Sequence, residues 1–219
     1  MKLRTIALAG ASLIAFVTPA AAGTGWYLGL GLGWTQLQSV DAHVTTPAVA
    51  GSGHGSFNTT VRGDVAAGFK TASGFRIELE DGYGEYKVKS ASFPSGTPIA
   101  GASGHLSIGT MMVDIAYDRP ITPQFGFTVG GGLGLGSVLA HYDDPTQTIR
   151  KSDKAFAYQA IVGVTYAVSP QLDLQLAYRY IAVDNTTHDY ASIFGIPSGK
   201  IQLAEVDSHN VEMSLRWYP

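Results

Sequence analysis

The chain has 219 residues, and only 14% are charged, against roughly 25% in an ordinary soluble domain. Its 45% hydrophobic and 11% aromatic content excludes a disordered chain, because such chains are charge-rich and poor in aromatics. The 17 acidic side chains outnumber the 14 basic ones and cysteine is absent, which argues against a basic nucleic-acid binder and excludes disulfides, thiolate nucleophiles and cysteine-held metals.

The first element reads as an export signal. Lys2 and Arg4 precede the apolar stretch Ile6 to Val17, and Ala20-Ala21-Ala22 supplies the small residues a signal peptidase recognises. Twelve apolar residues are too few for a membrane helix, which takes about 20. Cleavage after residue 22 leaves a mature domain of residues 23–219. Losing Lys2 and Arg4 leaves 12 basic groups against 17 acidic ones.

Period-2 alternation then recurs eight times. Trp26, Leu28, Leu30, Leu32 and Trp34 share one face of the first predicted strand, with glycines on the other. In the second, Val61, Val65 and Phe69 oppose Arg62, Asp64 and Lys70. In the third, Phe75, Ile77 and Leu79 oppose Arg76, Glu78 and Glu80. The fourth groups Leu106 and Ile108 with Val113, Ile115 and Tyr117, which requires a phase slip, read as a bulge, near Met111-Met112. The fifth sets Phe125, Phe127, Val129, Leu133 and Leu135 against five glycines. The sixth has Phe156 to Tyr166 in alternation. The seventh sets Leu172, Leu174, Leu176, Tyr178 and Tyr180 against Asp173, Gln175 and Arg179. The eighth sets Val211, Met213, Leu215 and Trp217 against Glu212, Ser214 and Arg216.

Eight such strands have the length of bilayer-crossing β-strands, about 9–11 residues. Short connections at 70–74, 118–124 and 168–171 alternate with long polar ones at 38–57, 88–104, 140–154 and 183–208. That is the pattern of an up-and-down transmembrane barrel with short periplasmic turns and four long extracellular loops. A soluble β-sandwich or lipocalin would put the apolar face inward. Here charges occupy one face. Aromatics mark the ends of the other face: Trp26, Phe69, Phe75, Tyr117, Phe125, Tyr166 and Trp217 at one end, and Trp34, Phe57, Tyr83, Phe156 and Tyr180 at the other. Two aromatic belts fit two membrane–water interfaces. The fold class expected is all-β: an eight-stranded antiparallel transmembrane barrel in the bacterial outer membrane.

The mature chain resembles the small eight-stranded outer-membrane barrels, the OmpA-like membrane domain and the opacity-type surface antigens. The resemblance lies in Gly25-Trp26-Tyr27-Leu28-Gly29, in Ala177-Tyr178-Arg179-Tyr180 and in the closing Ser208 to Trp217. It departs in Pro219, which takes the phase where such proteins end on an outward aromatic. The resemblance implies a non-enzymatic, surface-exposed scaffold. Its partners would be outer-membrane lipid and lipopolysaccharide, the barrel assembly machinery and periplasmic chaperones during biogenesis, and a host or surface ligand bound through the loops.

The expected lumen is narrow, because eight strands leave an interior that side chains can fill. Its charge network comprises Arg62, Asp64, Arg76, Glu78, Glu80, Asp114, Asp173, Arg179, Glu212 and Arg216. Arg62 with Glu80, Arg179 with Glu212 and Asp173 with Arg216 are the expected pairs, and inward glycines of the first and fifth strands leave room for them. The network is either a plug or a narrow, cation-leaning pore. A channel for ions or small hydrophobic compounds is the alternative function.

Catalytic chemistry has little support. His105-Leu106-Ser107 is similar to the His-x-Ser-Asn motif of outer-membrane lipid A deacylases, but Ile108 replaces the Asn, and a lipid-facing Leu106 and Ile108 would turn His105 and Ser107 inward. Asp143-Asp144 and His188-Asp189 resemble the acidic and His-Asp pairs of the omptin proteases only as isolated dipeptides. His43, His54, His105, His141, His188 and His209 all fall in outer segments. They suit a loop metal site, a pH-responsive surface, or simply polar loops. No cofactor is implied. Phe93, Pro94, Ile99, Ile193, Phe194, Ile196 and Pro197 put apolar side chains in the second and fourth loops.

Overall fold

The computed structural model describes residues 23–45, 50–92, 104–144, 147–190 and 199–219. The leader and the apolar loop residues Phe93, Pro94, Ile99, Ile193, Phe194, Ile196 and Pro197 lie outside them. The strands are β1 (Gly25–Leu37), β2 (Val40–Thr45), β3 (Ala50–Phe57), β4 (Thr60–Lys70), β5 (Phe75–Ala91), β6 (Gly104–Pro120), β7 (Phe125–Asp144), β8 (Gln147–Ser169), β9 (Leu172–Val183), β10 (Thr186–Tyr190), β11 (Gly199–Leu203) and β12 (Val206–Trp217).

Eight of these close a barrel in the order β1-β4-β5-β6-β7-β8-β9-β12, every neighbour antiparallel. Closure is made by β12 on β1, with Leu28 opposite Trp217 and Trp34 opposite Val211. A closed barrel is the β-solution for a bilayer because it leaves no unpaired backbone edge. The alternation decides which face meets lipid. On β1, Trp26 and Trp34 are about 70% exposed (72% and 70%) and the leucines between them are over half exposed, while Tyr27 is buried. On the other barrel strands the exposed large side chains, such as Ile77, Leu79, Val113, Ile115, Leu133 and Leu215, likewise share one outward phase.

Three expectations are corrected. First, β6 has no bulge. Its register on β5 and β7 is continuous from Tyr117 to His105. Leu106 and Ile108 follow the inward phase of Asp114, Met112 and Thr110 and are buried. The hydrophobicity changes face; the backbone does not. His105 and Ser107 therefore have the outward phase, and Ser107 Oγ accepts a hydrogen bond from Tyr83 Oη at 3.1 Å.

Second, three of the long connections are largely strand. β7 and β8 stay paired into segment 140–154, from Ala140 opposite Lys151 to Asp144 opposite Gln147. Segment 38–57 forms β2 and β3, and 183–208 holds β10 and β11. Together they make a sheet in the order β10-β11-β2-β3 that joins the outer end of β5.

Third, Phe57 is not in the outer aromatic belt. It packs against an apolar cluster inside the outer half of the barrel that includes Leu37, Tyr86, Leu106, Ile108, Met112 and Val183. Tyr86 is anchored there by a 3.1 Å hydrogen bond to Thr35 Oγ1. The interior thus has two layers: apolar towards the outside, charged towards the periplasm.

Candidate functional site in the barrel interior

All ten side chains of the expected charge network point inward and are buried. They sit there because each occupies the phase opposite the lipid-facing residues of β4, β5, β6, β9 and β12. Glycines on the facing strands give them room. A Cβ at Gly31 would overlap the Asp64 carboxylate, one at Gly132 the Asp114 carboxylate, and one at Gly82 the Arg62 guanidinium.

The expected pairs differ in how they form. Arg62 Nη2 lies 3.5 Å from Glu80 Oε1, but not by register. Arg62 faces Gly84 and Glu80 faces Ala66, so the contact runs along the barrel. The stronger partner of Arg62 is Thr110 Oγ1 at 2.6 Å. Arg179 and Glu212 meet diagonally, Nη2 to Oε1 at 3.0 Å, and Arg179 Nη1 also pairs with Glu80. Asp173 and Arg216 do stand directly opposite, yet they are not an ion pair. Arg216 Nη1 turns to Asp118 Oδ2 at 3.1 Å, while Asp173 takes Lys70 Nζ at 3.6 Å and the Tyr218 hydroxyl at 3.1 Å.

Lys70 and Asp118 complete the network. Asp118 Oδ2 collects Lys70 at 3.1 Å, Arg216 at 3.1 Å and Arg76 Nε at 3.6 Å, and its Oδ1 accepts from Thr128 at 2.8 Å. Asp118 lies inside a segment expected to be a turn, because β6 runs on to Pro120. Lys70 was visible on the polar face of its strand, but its position at the strand end hid its role. Arg76 Nη1 holds Glu78 Oε2 at 2.6 Å, with the Tyr27 hydroxyl on the same carboxylate. Gln159 donates to Asp114 Oδ1 at 2.7 Å. Below the network a cavity of about 640 Å³ opens at the periplasmic mouth, lined by the turns at 71–74 and 122–124.

The register sets His105 opposite His141 across β6 and β7, and the described side chains of His43, His54 and His209 have separate partners. His43 contacts Ser52 (Nδ1 to Oγ 2.9 Å), His54 pairs with Asp41, and His209 meets Gln38 at 2.8 Å and stacks on Tyr178. The side chains of His141, His188, Asp143, Asp144 and Asp189 lie outside the described set. Among the described residues, the group of carboxylate and histidine side chains close enough to hold a metal is Glu78, Glu80 and Asp114, inside the barrel.

Residues 6–210 match the outer membrane protein beta-barrel domain family. The chain belongs to that family. As an outer-membrane β-barrel protein it is located in the outer membrane, with lipid around its apolar band. It is 28% identical over 212 residues to an outer membrane protein of Gluconacetobacter diazotrophicus, a match covering 86% of this chain and 54% of that one. It is 23% identical over 172 residues to a Rickettsia bellii protein provisionally named an adhesin, covering 73% of this chain and 75% of that one. The barrel superposes on OprG of Pseudomonas aeruginosa with a TM-score of 0.60 at 12% identity (92% and 99% covered). It superposes on Neisserial surface protein A with 0.51 at 17% identity (89% and 97% covered). The outer membrane protease OmpT of Escherichia coli gives 0.55 at 9% identity, covering 91% and 99%. At these identities the structures share the barrel, and chemistry has to be argued from side chains.

Proposed function

We propose that this outer-membrane barrel is a non-enzymatic scaffold with a closed lumen, and that it makes adhesive contacts through the sheet formed by β2, β3, β10 and β11. The observation that carries the reading is the pairing of β11 with β2. It turns two separate loops into one rigid platform above the membrane, and rigid presentation lowers the ordering cost of binding. The filled interior supports the closed state, with charge below and aliphatic side chains above. The adhesin name of the Rickettsia relative fits such a platform. The absence of catalysis is part of the proposal: His105 and Ser107 share the outward phase of β6, away from the lumen, and the Ser107 hydroxyl is engaged by Tyr83.

Residues 1–22 act, in this reading, as the export signal. Periplasmic chaperones and the barrel assembly machinery deliver residues 23–219, and lipopolysaccharide surrounds the outer rim. The test replaces 41–56 and 186–202 with short Gly-Ser turns, keeping Val40, Phe57 and Leu203 of the interior cluster. The trimmed barrel should insert normally but lose binding of whole cells to host cells or surfaces. Undiminished binding overturns the adhesive role.

The competing reading is a narrow cation-leaning pore. It is favoured by the buried interior charges, seven acids against five bases. Planar-bilayer recording separates the two. A silent membrane with inserted protein supports the closed scaffold, and steady openings altered by Glu80→Ala support the pore.

A further inference from the structure

We propose that Glu78, Glu80 and Asp114 form a binding site for one hard divalent cation, Ca²⁺ or Mg²⁺, inside the barrel. One oxygen from each lies within 4.8 Å of the others. Glu78 and Asp114 face each other directly across β5 and β6, and like charges in that position repel unless something stands between them.

The charge balance points to what stands there. The buried acids are Asp64, Glu78, Glu80, Asp114, Asp118, Asp173 and Glu212. The buried bases are Arg62, Lys70, Arg76, Arg179 and Arg216. Five of the acids sit in ion pairs. Asp64 and Asp114 have no basic partner within 4.0 Å among the described residues. Among the described residues the buried interior therefore carries two excess negative charges when all are ionised, the charge of one dication, and a buried uncompensated charge is strongly disfavoured.

The three carboxylates are also divided in use. Glu78 gives Oε2 to Arg76, Glu80 gives Oε2 to Arg179, and Asp114 gives Oδ1 to Gln159. Each keeps a second oxygen less engaged: among the described residues Glu80 Oε1 accepts only long contacts, from Arg62 Nη2 and Gln159 Nε2, each at 3.5 Å. On Asp114, which is 0% exposed, that second oxygen has no hydrogen-bond partner among the described residues. Gln159 and Gly132 occupy the β7–β8 side of Asp114, which leaves the free oxygen to the β5 side, where Glu78 and Glu80 stand. An all-carboxylate donor set selects hard oxygen-seeking cations over zinc or copper.

The test uses the mature chain refolded in non-ionic detergent, stripped with EDTA, so that no lipopolysaccharide supplies cations. Calcium titration by calorimetry, with terbium luminescence as a second probe, should give about one site per chain. Saturating calcium should raise the temperature at which the heat-resistant gel form is lost by about 5 °C. Asp114→Asn should abolish binding and the shift. In EDTA it should match or exceed the wild-type temperature, because it removes half of the excess charge. Asp64→Asn should retain binding. No saturable site up to about 10 mM calcium, magnesium or terbium overturns the proposal, since protons would then carry the balance. So does binding that survives Asp114→Asn, which would place the ion elsewhere. If the variant does not fold, wild-type stoichiometry and the EDTA-dependent shift decide the question.

Discussion

Replacing Arg179 by Met tests whether the interior charges hold one another in place. Arg179 is buried, pairs with Glu80 through Nη1, and lies 3.0 Å from Glu212 through Nη2. Met fills a similar aliphatic volume, so little of the effect comes from packing. Glu80 keeps Arg62 at 3.5 Å, whereas Glu212 is left without a basic partner among the described residues. Stranding one buried charge costs about 3–5 kcal/mol, and Arg179→Met should lose about that much. Adding Glu212→Gln removes the stranded charge and should recover about 1–3 kcal/mol, the size of coupling seen between residues in one network. The assay is urea unfolding of the refolded chain in lipid vesicles. Trp26, Trp34 and Trp217 all face lipid and report its exchange for water. A loss below about 1 kcal/mol, or no recovery in the double variant, would refute the pairing argument.

Glycines separate tight from open sites. A Cβ at Gly33 would lie 2.7 Å from Val211 O and 2.8 Å from Glu212 Cα, so Gly33→Ala should cost about 1–3 kcal/mol in the same urea assay. Gly109 has nothing within 4 Å of its Cβ position, and Gly109→Ala should be neutral or gain about 0.5 kcal/mol. Leu30 is midway between the two tryptophans of β1 and faces lipid; Leu30→Arg should cost about 2–4 kcal/mol in vesicles. A cost near zero there would mean that this face is not in the membrane. Ala42 lies in the middle strand of the β11-β2-β3 platform, opposite Gly53 and Leu203. Ala42→Pro removes a ladder donor and should expose the platform to limited proteolysis while the barrel stays heat-resistant.

The sequence made the barrel readable because the bilayer imposes a rule on every crossing strand: each residue faces lipid or lumen. That rule identified eight strands and ten of the twelve buried charges among the described residues, missing Lys70 and Asp118 at the strand ends. It failed at Leu106 and Ile108, where following hydrophobicity instead of phase put two lumen residues on the lipid side. The outer half of the barrel interior holds a mainly aliphatic cluster, so an apolar residue there carries no information about which way it points. The platform strands were missed for a related reason. Above the membrane neither face meets lipid, and β3 reads Ala-Gly-Ser-Gly-His-Gly-Ser-Phe. It pairs with β2 and with the far end of β5, contacts that its composition does not encode. Arg62 and Glu80 came together although neither faces the other in register, because long side chains in a narrow lumen reach past their cross-strand neighbours.

The platform also bears on how the barrel closes. In an up-and-down barrel, the seam between first and last strands joins the most distant parts of the chain and has the highest closure cost. Here the seam is paired twice. Inside the membrane β1 meets β12 from Leu28 with Trp217 to Leu37 with Ser208. Beyond it, the hairpin following β1 meets the hairpin preceding β12, with Ala42 opposite Leu203 and Thr45 opposite Lys200. Gln38 N donates to Asp207 O at 2.9 Å and Ala204 N to Asp41 O at 2.9 Å, linking the two pairings without a break. The second pairing adds backbone hydrogen bonds to a seam that is already formed, so each pairing lowers the entropic cost of the other. The surface that would meet a partner is therefore part of the barrel's own closure.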